Sequence, residues 1–164
     1  MLLALVSGHT PPFALLSSSQ CDIILIVETK LALLADYANV TRDGKLNLMG
    51  VSNTINARAL PWVQPQMHIV LQFEVGAADW DTEKGIEVQL LDADGNRVSA
   101  IQGNVKVARP KVAKPLQVNS IFAINNLKFN RDGDYVFVLH VDGQIEREIP
   151  LRVNYVPAPG AARR

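Results

Sequence analysis

The sequence predicts an all-β protein, an antiparallel β-sandwich of about eight strands. Hydrophobic residues recur at every second position, Asp-Gly pairs separate the alternating runs, and no window of helical length carries an apolar stripe. Alternation sends successive side chains to opposite faces, as a half-buried antiparallel strand requires. Two packed sheets are the usual way to bury many such faces.

The alternation is clearest in segments 67–75, 86–90 and 145–155. In the last of these, one parity is apolar and is predicted to face the core: Ile145, Ile149, Leu151, Val153 and Tyr155. The predicted strands cover 31–38, 45–52, 67–75, 85–92, 97–107, 117–129 (with a possible break at Asn125-Asn126), 134–142 and 144–155.

Turn signals separate these segments at hairpin distances. Glycine adopts positive φ at no steric cost and aspartate tolerates it, so Asp-Gly between apolar runs indicates a tight turn. Four such pairs occur: Asp43-Gly44, Asp94-Gly95, Asp132-Gly133 and Asp142-Gly143.

Segment 134–142 is apolar on both parities. Tyr135, Phe137 and Leu139 form one set, while Val136 and Val138 occupy the other face. The pattern predicts a central strand or a face that lies under a contact.

The start of this segment, Gly133-Asp134-Tyr135-Val136-Phe137, has a G-x-Y-x-F spacing. It resembles the tyrosine corner of immunoglobulin-like sandwiches, in which the phenol bonds a nearby backbone group. The resemblance favours an immunoglobulin-like or related Greek-key sandwich over a jelly roll.

The chain divides into a non-domain extension (1–29), a β-sandwich domain (30–155) and a disordered tail (156–164). Residues 1–21 carry no charged side chain, so the positive region of a secretory signal is missing. Our hypothesis is that the natural protein starts at or near Val27, and that residues 1–26 result from a start codon assigned too far upstream.

Charge and cysteine usage narrow the classes of partner. Sixteen acidic and sixteen basic side chains cancel, so no overall field would draw the chain to nucleic acid or to a membrane surface. Cys21 is the single cysteine and cannot form an internal disulfide. We therefore expect a cytoplasmic protein with no nucleic-acid or membrane partner.

The opening Leu31-Ala32-Leu33-Leu34-Ala35-Asp36-Tyr37-Ala38-Asn39, followed by Gly44-Lys45-Leu46-Asn47-Leu48-Met49-Gly50-Val51, resembles an uncharacterised bacterial family. The likeness extends over roughly residues 30–153, and its first segment is the most distinctive. It implies a single compact domain, and it supplies no catalytic residues.

The predicted domain lacks a catalytic constellation. Its two histidines, His68 and His140, lie on the polar parity of predicted strands, where we expect them to be solvated rather than to act as general bases. There is no nucleophile elbow, Walker loop or dinucleotide-binding glycine motif. We assign no catalytic residue and no cofactor.

A calcium-binding or small-ligand site is the alternative. In an all-antiparallel chain, loops 53–66, 92–96 and 130–134 would share one end and gather four carboxylates, the ligands that calcium prefers. These are Asp92, Asp94, Asp132 and Asp134. Hairpin turns collect aspartate for conformational reasons as well, so we assign no metal ligand.

The opposite end would hold loops 39–44, 76–84, 108–116 and the turn at 142–143. Trp80 lies among acids in one of these loops, and Arg109 begins a basic segment in another. Together they suggest a protein contact, unless Trp80 folds back on the core and the charges pair. The predicted function is a non-enzymatic binding or structural module that contacts another protein or itself.

Overall fold

A computed structural model describes residues 27–110 and 116–157. Within these ranges nine strands form two sheets. The strands are β1 (Val27–Val40), β2 (Leu46–Val51), β3 (Thr54–Ala57), β4 (Trp62–Val75), β5 (Thr82–Asp92), β6 (Arg97–Val107), β7 (Leu116–Phe129), β8 (Gly133–Val141) and β9 (Gln144–Tyr155), with one 3-10 turn at Ala77–Asp79.

The sheets have the orders β2-β1-β4-β7 and β3-β9-β8-β5-β6, and the predicted β-sandwich is confirmed. β3 was not predicted, because four residues are too few to show an alternating pattern. It pairs parallel to β9, which makes the fold mixed rather than all-antiparallel.

The core lies between the inner faces of the two sheets. The alternating residues of β4 are buried as predicted: Met67, Ile69, Leu71, Phe73 and Val75. Phe129 and Phe137 are also buried in this core. Side chains of this size, removed from water, provide the main drive for folding.

β8 lies between β5 and β9, in the interior of its sheet, as its two apolar faces predicted. Val138 on its outer face is 5% exposed. Its ladder partners are Gln89 and Glu148, which flank it on either side. The central position is therefore enough to account for the second apolar face.

The tyrosine corner is also confirmed. The hydroxyl of Tyr135 donates to the carbonyl oxygen of Arg131 at 2.8 Å, and the Tyr135 ring meets Phe129 edge to face. The bond fixes the chain as it enters β8.

Replacing Tyr135 by phenylalanine keeps the packing and removes this bond. We expect the free energy of unfolding to fall by about 1 kcal/mol, the usual net contribution of one hydrogen bond. Urea denaturation would measure it, with Tyr155→Phe as the control because Tyr155 is 49% exposed. An equal loss in both variants would contradict the assignment.

A β-bulge corrects the prediction for β9. Leu139 pairs with Arg147, but the next residue, His140, pairs with Ile145, which leaves Glu146 as an extra residue. One inserted residue reverses the faces, so Ile145 is 65% exposed rather than inward. Tyr155, also predicted inward, extends beyond the β8 ladder and is exposed.

The β8–β9 turn has the predicted geometry. Asp142 and Gly143 both have positive φ, 49° and 83°. This is the pattern of a two-residue type I′ hairpin turn, whose twist matches that of the flanking strands.

β1 begins at Val27, three residues before the predicted domain start at 30. Residues 1–26, which the hypothesis of a start near Val27 concerns and which include Cys21, lie outside the described ranges. Most of the predicted tail, residues 158–164, lies outside them as well. Among the described residues, no helix is long and apolar enough to cross a membrane.

Candidate functional site

The second half of β1 and nearly all of β2 extend beyond the ladder that joins β1 to β4. β1 pairs with β4 only from Val27 as far as Ala35, which lies opposite His68. Beyond that point β1 pairs with β2 alone. Residues 36–50 therefore form a two-stranded projection, which we call the arm.

The arm lies across the outer face of its own sheet. Val70 points outward, because its neighbours Ile69 and Leu71 face the core, yet Val70 is 0% exposed. It is covered by a second apolar cluster in which three arm residues pack with two residues of the sheet: Ala38, Leu46, Leu48, Leu33 and Ile121. Burial of these side chains holds the arm down.

Hydrogen bonds fix the tip of the arm on β7. The side-chain amide of Asn119 donates to the carbonyl oxygen of Gly44 at 3.0 Å, and the Gln72 amide donates to Asn119 at 2.9 Å. Within the tip, the backbone N–H of Lys45 donates to the Thr41 hydroxyl at 3.0 Å. The polar residues of the outer face thus anchor the arm.

At the base of the arm, β1 and β2 approach each other closely at Asp36 and Gly50, a point that we call the crossing. Gly50 has φ +64°, and a Cβ at this position would collide with the carboxylate of Asp36. Only glycine combines this backbone conformation with so close a neighbour at low cost. The positive φ of Gly50 thus kinks β2 at the base of the arm.

His68 lies beneath this crossing, so the expectation that it is solvated is wrong. It is 5% exposed, its Nδ1 lies 2.9 Å from the carbonyl oxygen of Asp36, and its ring meets Tyr37 edge to face. The polar parity of β4 is correct, but the arm covers it. His140 is half-buried opposite Glu87, and its Nδ1 has no hydrogen-bond partner in the described residues.

The upper side of the arm is apolar and exposed. Tyr37 and Met49 lie opposite each other in the ladder, and Val51 lies just past the kink at Gly50, opposite Ala35. Their exposed fractions are 48%, 64% and 57%. Segment 46–51 has apolar residues on both parities, Leu46 and Leu48 on one and Met49 and Val51 on the other. This pattern indicates two contact surfaces, although neither was predicted above.

The acidic end brings together the four aspartates that the sequence grouped. Asp92, Asp94, Asp132 and Asp134 line one shallow cavity of about 180 Å³. Arg131 lies in the same cavity, with its Nη2 3.5 Å from Asp92 and 3.6 Å from Asp94. Over residues 27–110 and 116–157, no group of three or more metal-binding side chains is placed to hold an ion.

Two of the four carboxylates already have structural partners. Asp92 accepts the backbone N–H groups of Asn96 at 2.8 Å and Asp94 at 3.0 Å, and Asp134 is held by Arg152. The bond from the Asn96 backbone contributes most to a pKa of Asp92 below 3.8; partial burial opposes this, and the charge of Arg131 adds to it. These aspartates therefore stabilise the turns and strand ends in which they lie. The geometry gives no support to the calcium alternative.

The opposite end shows Trp80 folded back. Its ring packs against the core cluster, and the guanidinium of Arg109 lies 6.0 Å from its centroid. Arg109 also pairs with Asp81 at 3.1 Å. This confirms the interpretation in which Trp80 covers the core and the charges pair. The arm holds loop 39–44 against the outer face at Asn119, three residues from the start of β7, and residues 111–115 lie outside the described ranges.

The same end contains a buried charge cluster that the sequence analysis missed. The Nζ of Lys84 lies 2.9 Å from Asp79 and 3.4 Å from Asp142; Lys84 is 6% exposed and Asp79 1%. A signal was present, because Lys84 shares the inward parity of Ile86 and Val88 and is therefore predicted to face the core.

The fold and site define a β-sandwich whose outer face is covered by its own apolar arm. The chain belongs to DUF6941, a family of unknown function, whose model matches residues 30–154. The distinctive opening segment of the sequence builds the arm.

Two solved structures are similar to this chain, both at a TM-score below 0.5. One is an alkylpurine DNA glycosylase, AlkC, from Pseudomonas fluorescens, bound to DNA containing an abasic site analog (10% identity, TM-score 0.45, 78% of this chain). The chain spans 30% of that glycosylase. The other is an immunoglobulin-like protein from Pseudomonas aeruginosa (10% identity, TM-score 0.40, 79% of this chain and 97% of that one). A search of curated proteins finds no match.

Proposed function

We propose that the protein is a non-enzymatic contact module that binds a protein partner through the upper side of the arm. The observation that carries the proposal is the exposure of Tyr37 and Met49, which are ladder partners on the arm, together with that of Val51 at its base. Neighbouring exposed apolar side chains of this size are typical of contact surfaces, since exposing them to water is unfavourable. Tyrosine and methionine are both enriched at protein interfaces.

The arm also has the rigidity that a contact surface needs. Its lower side is packed on Val70 and its tip is bonded to Asn119, so the three exposed side chains are presented on a fixed support. A preformed surface loses less conformational entropy on binding than a mobile loop does.

A non-enzymatic role is supported by the use that the fold makes of its histidines. His68, the better placed general-base candidate, is buried and bonded to a backbone carbonyl. The setting that we propose is the cytoplasm, where a chain with a single cysteine needs no disulfide for stability.

Replacing Met49 by aspartate is expected to abolish partner binding, because a charge in an apolar contact must lose its hydration. The free energy of unfolding should change by less than about 0.5 kcal/mol, since Met49 is 64% exposed. Affinity capture from the native host, with bound proteins quantified by mass spectrometry, would measure the effect.

Val98→Asp is the matched control, because Val98 is also an exposed apolar strand residue but lies on β6 of the other sheet. A partner retained by wild type and by the control, and lost by Met49→Asp, supports the proposal. A partner retained equally by all three would contradict it.

A further inference from the structure

Four strands lie at the edges of the two sheets, and they differ in how well their open edges are protected. In the part of the chain that the structure describes, these are β2 and β7 in one sheet and β3 and β6 in the other. An open edge presents unpaired backbone N–H and C=O groups to any other strand, so proteins usually shorten such strands or place charges on them.

Three of the edges carry such protection. β3 has four residues, and β2 has six and contains the kink at Gly50. β6 is longer, but Arg97 and Lys106 lie near its two ends, and both are exposed. Like charges near the ends of β6 disfavour pairing with a second copy of itself.

β7 lacks this protection. It has 14 residues, and its first ten, Leu116 to Asn125, contain no charge, no glycine and no proline. Its one charged residue, Lys128, lies beyond Asn126, where the positive φ of 56° interrupts the regular strand. The arm contacts β7 through the side chains of Asn119 and Ile121 on the outer face, and among the described residues no backbone hydrogen bond joins the arm to the edge of β7.

We propose that two copies of the chain pair antiparallel along the open edge of β7, which joins their four-stranded sheets into one. This goes beyond the proposed function, because it uses the sheet edge and not the arm. A two-fold axis brings the same edge of both copies together. Because segment 116–125 is uncharged, its pairing with itself opposes no like charges.

The alternation of β7 restricts the register. Residues that face the core must lie opposite residues that face the core, so the two-fold axis passes through a residue and not between two residues. With the axis near Ile121, Val118 lies opposite Ile124, and Gln117 lies opposite Asn125 of the other copy. Gln117 and Asn125 are both exposed in the single chain.

The double variant Gln117→Lys/Asn125→Lys tests the interface and its register. It places two pairs of like charges across the axis, and we expect the dimer dissociation constant to rise by about tenfold or more. Gln117→Lys/Asn125→Glu makes the same pairs opposite in charge and should restore the dimer. Sedimentation of the full chain over about a hundredfold concentration range would measure each constant.

Two further variants make the outcome decisive. Gln102→Lys/Asn104→Lys adds the same charges to β6, and Met49→Asp alters the arm; both should leave the β7 dimer intact. A wild-type chain that is monomeric throughout the range would overturn the proposal. A dimer that survives Gln117→Lys/Asn125→Lys would also overturn it, and so would a dimer that is lost only in Met49→Asp. The proposed binding of a partner by the arm does not depend on whether the wild-type chain is monomeric or on the effect of Gln117→Lys/Asn125→Lys.

Discussion

Replacing Lys84 by alanine is expected to lower the free energy of unfolding by about 3–5 kcal/mol, the range for breaking a buried ion pair by removing one partner. Asp79 is 1% exposed, and its nearest cation is Lys84 at 2.9 Å. Without that cation, the Asp79 carboxylate must stay buried without compensation or take up a proton, and either is costly.

Urea denaturation would measure this loss, with Glu83→Ala as the control. Glu83 is the adjacent residue of β5 and is exposed, so its change should stay within about 0.5 kcal/mol. The double variant Asp79→Asn/Lys84→Met removes both charges and should recover part of the loss. A Lys84→Ala protein as stable as wild type would show that the pair does not stabilise the fold.

The same cluster predicts a pH dependence. Burial lowers the pKa of Lys84, but its contacts with Asp79, and then with Asp142, outweigh burial and hold the pKa above 10.5. The unfolded chain has the ordinary value, so the protonated lysine favours the folded state. This contribution is fully present below about pH 10 and is lost as the pH rises through the raised pKa.

The second large effect is expected at the base of the arm. Replacing Gly50 by alanine should cost about 2–3 kcal/mol. Part of this is the roughly 1 kcal/mol that a side chain loses at positive φ, and the rest comes from the collision of the new Cβ with Asp36. Amide hydrogen exchange should show the loss of protection concentrated in residues 36–50, because that is where the crossing is disrupted.

Gly44→Ala separates these two costs. Gly44 also has positive φ, +79°, but a Cβ there would have no atom within 4 Å, so only the backbone cost of about 1 kcal/mol remains. Asp36→Ala/Gly50→Ala removes the two nearest obstructing atoms and leaves only the Asp36 Cβ, 2.9 Å away, so it should be less destabilised than Gly50→Ala. Equal losses in Gly44→Ala and Gly50→Ala would contradict the close crossing.

Most of the sandwich could be predicted from alternation and turn chemistry. The period of two located eight of the nine strands, and Tyr135 and the Asp142-Gly143 turn have the predicted geometry. Alternation fails where one residue is inserted. The bulge at Glu146 turns Ile145 outward, and nothing in residues 144–155 themselves marks that insertion.

The arm was not predicted, because parity assigns a face to a residue without saying what covers that face. His68 and Val70 both lie on the outer parity of β4, and both are buried because the arm, which comes earlier in the chain, folds over them. The buried Lys84 is a different case. Its inward parity was visible in the sequence, and only its partner Asp79 required the structure.

The claim on which the proposed function depends is that the upper side of the arm meets another protein in the cell. Site-specific photocrosslinking tests it most directly, with a photoreactive amino acid placed at residue 49 or, for comparison, at residue 98. We predict a discrete crosslinked product from residue 49 and none from residue 98. A residue 49 probe that yields no product, or the same products as residue 98, would contradict the claim.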